Sequence, residues 1–189
     1  MEQNSQDQCA QDLLTAAIDL TARDEAGGLQ MIADIILAHP KDARLHFLRG
    51  SILASSGQFP AAQAAMSRAL EIAPSFLVAR FQLGFLQLTS AEPGPAAKTW
   101  EPLLSLSQDH PLRLFVVGLD HMVADAFDQS REAIEKGIAL NSENPAINGD
   151  MTLILDAIHK LQFPDQGPDE PTSSAHFLLQ DYAARQTKH

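Results

Sequence analysis

Seven histidines, one cysteine and twenty-four carboxylates are the side chains of this 189-residue chain best suited to chemistry. His39 and His110 each stand directly before a proline, a turn setting. His46 and His121 form no i, i+4 pair, and His159, His176 and His189 are scattered towards the end. With a single cysteine and no HExxH spacing, this pattern predicts no metal site and no cofactor. Gly27-Gly28 and Pro93-Gly94-Pro95 lack the glycine spacing and following lysine of a phosphate-binding loop. No serine sits in a GxSxG elbow. The acids include no pair singled out for proton transfer, although Asp120 and Asp125 fall beside an apolar stretch. Cys9, near a frayed end, reads as inert. The expectation is a protein that catalyses nothing.

What must position these residues follows from composition. Hydrophobic residues make up 45% of the chain and aromatics 6%, which suits an Ala- and Leu-rich helical core rather than a β-sandwich. The net charge of −11 repels phosphate backbones, so nucleic acid is not an expected partner. The charge is uneven: residues 1–40 carry seven acids and one base, whereas residues 41–100 carry six bases and three acids. A lone cysteine rules out an intrachain disulfide and fits a reducing compartment. Met1 to Gln11 has no apolar core of a secretory signal, and no apolar run is long enough to enter a bilayer. A cytoplasmic location is expected.

The elements themselves repeat. Ala16, Gly50, Gly84 and Gly118 are spaced by 34 residues, as are Phe47, Phe81 and Phe115. Pro40 and Pro74 share the step, and so do Pro111 and Pro145. Small residues at fixed places let two antiparallel helices approach closely, and stacked hairpins then bury one core. Pro60 and Pro95 suit the first turn of a helix, and Asn141-Ser142-Glu143-Asn144 before Pro145 marks a stop, a loop and a new start.

Residues 43–76 (ARLHFLRGSILASSGQFPAAQAAMSRALEIAPSF) resemble a tetratricopeptide repeat. Gly50 takes the small position of the first helix, Gly57 and Phe59 the turn, Ala62, Met66, Ala69 and Leu70 the packing positions of the second helix, and Pro74 the end. Residues 77–110 keep Leu83, Gly84, Ala96, Trp100 and Leu104. Residues 111–144 keep Gly118, Phe127, Ile134 and Ile138 but lose the small residues of the second helix. Residues 9–42 are a degenerate copy with Ala16, Gly28, Ile32 and Pro40. The resemblance implies an all-α, right-handed α-solenoid of about four hairpins within residues 1–162, followed by one more helix over 146–162. Residues 163–174, with three prolines, read as a linker. Residues 175–189 return to an amphipathic helix with Phe177, Leu178 and Tyr182 on one side.

In this family the first helices line a concave groove. The matching positions are Arg44, Phe47, Ser51, Ala54 and Ser55; Val78, Phe81, Phe85, Leu88 and Thr89; and Leu112, Phe115, Leu119, Met122 and Val123. The resemblance therefore implies an acidic, cytoplasmic adaptor or chaperone that holds an apolar peptide or helix of a client protein. The lysines, arginines and asparagines that clamp acidic chaperone tails are replaced here by Phe, Leu, Met and Val. An apolar groove is more similar to that of small bacterial secretion chaperones. The alternative is a homodimeric scaffold subunit that uses the same surface for self-association. For the C-terminal segment three places remain open: a cap on the last hairpin, the groove itself, or a neighbouring chain.

Overall fold

A computed structural model describes residues 8–163. In order these form α1 (Gln11–Thr21), α2 (Glu25–Ala38), α3 (Ala43–Ser55), α4 (Phe59–Ile72), α5 (Leu77–Thr89), α6 (Pro93–Trp100), a 3₁₀ segment (Glu101–Ser105), α7 (Pro111–Val123), α8 (Phe127–Leu140) and α9 (Pro145–Gln162). The described residues contain no strand. The all-helical hairpin architecture implied by the 34-residue period is the one observed. Two compact units divide the chain, one ending at Leu86 and the other beginning at Gln87. The linker and C-terminal helix expected beyond residue 163 lie outside the described residues.

The period is written into the turns more faithfully than into the side chains. Gly57, Ala91 and Asp125, each 34 residues apart, all have positive φ, at 73°, 63° and 54°. Each opens the same turn. Their amides donate to the carbonyls of Ala54, Leu88 and Met122, and the next amides (Gln58, Glu92, Ala126) donate to Leu53, Gln87 and His121, all at 2.8–3.0 Å. Such left-handed closures satisfy the last carbonyls of the first helix and reverse the chain. Only one copy uses glycine, which adopts this conformation without strain. That is why the second and third turns were unreadable as copies of the first.

Helix starts are secured locally. The Asp24 and Asp42 carboxylates accept from the amides of Gly27 and Arg44, both at 3.0 Å. Nδ1 of His110 accepts from the amide of Leu112 at 3.2 Å, so this histidine caps α7, in keeping with its place before Pro111. At the other end of α8, the Asn141 amide group donates to the Asn144 carbonyl and to Asn148 Oδ1, both at 2.8 Å, turning the chain into α9.

Hairpins α3/α4 and α7/α8 cross in the same manner. A methyl group built on Gly50 would lie 2.6 Å from Met66 Cγ and 3.1 Å from the Ala62 carbonyl; on Gly118 it would lie 2.5 Å from Ile134 Cγ1 and 3.2 Å from the Ser130 carbonyl. Ser130 therefore fills the seat of Ala62, two periods on, and Gly137 fills that of Ala69. The fourth repeat keeps its small residues after all; serine and glycine fill places where the pattern was sought in alanine. In α1/α2 the tight contact moves to Thr21 and Gly28, next to the turn. Ala16, aligned with the helix-packing glycines, is exposed, and Ala17 is buried in its stead.

The third repeat departs further. Its second helix stops at Trp100 and continues as the 3₁₀ segment. Pro102 supplies no N–H and its ring crowds the carbonyl four residues back, which breaks an α-helix at that point. Trp100 is buried as expected, but Leu104 is exposed, and Leu103, one period after Ala69, takes the buried place.

Candidate functional site

The face that the repeat pattern assigns to a partner differs from helix to helix. In the first unit, Arg44, Phe47, Ser51 and Ala54 of α3 are half-buried and Ser55 is exposed. Phe47 rests edge-on against Phe76, with ring centroids 5.1 Å apart. On α5, Val78 is half-buried, whereas Phe81 and Phe85 are buried and stacked, 6.1 Å apart and 9° from parallel.

In the second unit, Leu88 is buried, as are Leu112, Phe115, Leu119 and Met122 of α7. Val123, at the end of the same face, is 40% exposed. Phe115 also reaches the facing helix: a methyl group on Gly137 of α8 would lie 2.5 Å from its ring. This anchor of the expected groove is thus part of its own hairpin's packing. One period on, the same face of α9 opens. Leu153, equivalent to Leu119, is 45% exposed, and Asp156, equivalent to Met122, is exposed. The opposite stripe of α9 (Ile147, Met151, Ile154, Ile158) is buried.

Arg44 is engaged in a cluster that the sequence did not announce. Asp42 is fully buried. Its carboxylate accepts from the Cys9 amide (2.9 Å), from the Arg44 amide (3.0 Å) and from Nε and Nη2 of the Arg44 guanidinium (3.0 and 2.7 Å). Nη2 of Arg44 also donates to the Cys9 carbonyl at 2.8 Å. Burial alone raises the Asp42 carboxyl, but the hydrogen bonds from Arg44 and from the two amides outweigh it and hold the group below its ordinary range. The Cys9 thiol is pushed up, first by burial and then by Asp42, which keeps it a poor nucleophile. Residue 9 is therefore pinned rather than frayed. The sequence offers only Asp42 directly before the first helical residue, Ala43, an N-cap position; its contact with Cys9 has no local signal.

Asp120 and Asp125 do not converge. Asp125 occupies the left-handed turn. Asp120, though exposed as a residue, has its carboxyl pushed up by partial desolvation, with the neighbouring His121 acting in the opposite direction. Among the described residues no group of three or more His, Cys, Asp or Glu side chains is placed to hold a metal ion. No helix among them is long and apolar enough to cross a membrane.

No protein-family model matches the sequence, and no curated protein does. Solved structures do. "MamA RS-1 ArsTM double mutant" is similar over 98% of this chain and 94% of its own, with a TM-score of 0.58 and 13% identity. "MamA 41-end from Desulfovibrio magneticus RS-1" is similar over 98% and 95%, again with a TM-score of 0.58 and 13% identity. At that identity the likeness concerns the fold, a TPR-like arrangement of helices.

Proposed function

We propose that this protein is a protein-binding adaptor or chaperone that holds an apolar segment of a client against the first helices of its repeats. The observation that carries the reading is the make-up of one helix face. On α7 the positions Leu112, Leu119, Met122 and Val123 form a continuous apolar strip, where α3 has Arg44, Ser51, Ala54 and Ser55. A hairpin needs its small-residue crossing to fold; α3/α4 achieves that crossing with a far more polar face. Leu112, Leu119 and Met122 of this strip are buried and Val123 is 40% exposed; on this reading the client meets the strip at Val123, and each large apolar group withdrawn from water contributes roughly 1.5–3 kcal/mol. An amphipathic helix or extended apolar peptide is the partner whose chemistry fits. The acidic net charge and the single buried cysteine suit a cytoplasmic setting.

Self-association is the second reading. It is favoured by the exposed apolar residues of the first hairpin, among them Leu37, which is 82% exposed.

Site-specific photocrosslinking separates the two without disturbing the core. A benzophenone side chain placed at Val123 is expected to trap a heterologous polypeptide from native extract, while the same probe at Leu37 traps none. Crosslinks from Leu37 to a second copy of this chain, with none from Val123, would replace the adaptor by the self-associating scaffold.

A further inference from the structure

Of the three asparagines at the corner between α8 and α9, one has a neighbour that lets it react with its own backbone. Asn144 precedes Pro145, whose nitrogen carries no proton. Asn141 is buried and precedes Ser142, whose side chain crowds the peptide nitrogen. Asn148 is half-buried and precedes Gly149, where no side chain stands in the way. Gly149 has no packing task. A methyl group built on it would find nothing within 4 Å, whereas on Gly50, Gly118 or Gly137 it would meet a neighbour at 2.5–2.6 Å. One period earlier its place is held by Phe115, and before that by Phe81 and Phe47. A glycine inside a helix weakens that helix relative to alanine, so here it costs local stability with no gain in packing.

In the folded chain the Asn148 side chain is held at both ends. Its Oδ1 accepts from Asn141 Nδ2 at 2.8 Å, and its Nδ2 donates to the Asn141 carbonyl at 3.1 Å. Thr152 Oγ1 donates to the Asn148 carbonyl at 2.8 Å, which steadies the backbone there. Helical dihedrals also keep the carboxamide carbon out of line with the next peptide nitrogen. All of this lies near the start of α9, which opens with the Ile147 amide donating to the Asn144 carbonyl at 3.1 Å, and helix ends open before helix middles. From this geometry we propose that Asn148–Gly149 is a self-modification site guarded by Asn141, so that each opening of the first turns of α9 exposes residue 148 to an irreversible change. In that step the Gly149 peptide nitrogen gives up its proton to solvent and bonds to Cγ of Asn148. The Cγ–Nδ2 bond breaks, and Nδ2 takes up a proton and leaves as ammonia. Water then adds across either carbonyl–nitrogen bond of the cyclic imide, which opens to aspartate or to isoaspartate. Neither product has a proton to donate to the Asn141 carbonyl, and isoaspartate also lengthens the backbone by a methylene. The turn therefore cannot reclose as before, and the seat of buried Ile147 is loosened. The proposal stands apart from the client reading of α7.

Peptide mass spectrometry of the full chain, aged in mildly alkaline buffer at body temperature, reads the conversion at each asparagine. In concentrated urea the wild type is expected to convert Asn148 ahead of Asn141 and Asn144, and Gly149→Ala should remove that lead. In the folded chain Asn141→Ala should speed conversion of Asn148 about fivefold over the wild type, the factor set by one lost hydrogen bond. Asn141 also bonds Asn144, so Asn141→Asp is the companion variant: it keeps an acceptor for the Asn144 amide and removes the donor to Asn148. Hydrogen exchange over residues 127–140 checks that α8 stays folded in both. Unchanged conversion of Asn148 in a variant whose α8 is still protected would overturn the proposal. So would a wild type that converts Asn148 as fast when folded as in urea, because nothing would then be guarded.

Discussion

Hairpins α3/α4 and α7/α8 share one crossing and differ in almost everything that crossing supports. Both bring their helices together on a glycine against a small residue, Gly50 on Ala62 and Gly118 on Ser130. Beyond that, α3 spends its first turn on a buried carboxylate that pins residue 9, and its outward positions other than Phe47 are polar or small. In α7 the equivalent positions are large and apolar, buried at Leu112, Phe115, Leu119 and Met122 and 40% exposed at Val123. The crossing is kept while the outward face varies, and on the proposed reading folding and recognition fall to different residues of one repeat. In the proposed function the α3/α4 pair, anchored by Asp42, is scaffold and α7 the face that meets the client.

The largest way to sharpen that contrast is to break the anchor. Arg44→Ala leaves Asp42 buried without its guanidinium, which costs about 3 kcal/mol. Chemical denaturation should show that loss, with partner capture through Val123 retained by the folded fraction. The effect has a pH signature. Because the folded Asp42 carboxyl lies below its unfolded value, its contribution is fully present above about pH 4 and disappears as pH falls through the folded pKa. The difference in melting temperature between wild type and Asp42→Asn should therefore be largest near neutrality and vanish in acid. A difference that persists undiminished in strong acid would mean that the carboxylate is not the anchor.

A smaller effect distinguishes the two crossings. Added to Gly50, a methyl group meets Met66 Cγ and the backbone at Ala62 and Met66; added to Gly118, it meets β-branched Ile134 and the Ser130 carbonyl. Alanine gains about 1 kcal/mol of helix propensity over glycine at either place. Gly50→Ala should accordingly lose about 1 kcal/mol, because unbranched Met66 can shift in part, whereas Gly118→Ala should lose about 2 kcal/mol to overpacking against Ile134. Equal melting temperatures for the two variants would show that both crossings have the same slack.

The smallest effect lies in the turns. Ala91→Gly and Asp125→Gly should each raise stability by about 0.5–1 kcal/mol, since both residues hold a left-handed conformation that glycine adopts freely. Gly57→Ala should lower it by a similar amount.

These particulars show how much was legible in the sequence. The helical hairpins around Gly50 and Gly118, and the helix starts at Pro60 and Pro95, followed from residues that sterics restrict narrowly, whereas the turns at Ala91 and Asp125 did not. The fourth repeat's small residues were overlooked because Ser130 and Gly137 substitute for alanine on size alone. Pro102 was visible but its consequence was not drawn; it ends α6 early and moves burial from Leu104 to Leu103. The outward face was assigned by repeat position, which names the residues but says nothing of what covers them. Hence Phe115 was placed in the groove while its ring lies against Gly137. The Cys9–Asp42–Arg44 cluster was hidden for a plainer reason. It joins residues 33 positions apart through one carboxylate, and no local pattern records such a contact.

The central claim is that α7, and not α3, receives the client. Hydrogen exchange on the full chain, alone and saturated with the polypeptide trapped through Val123, tests it most directly. The account predicts that the client alters exchange over residues 111–123 and leaves residues 43–55 as they were. A change confined to residues 43–55, or one of equal size in both helices, would contradict it.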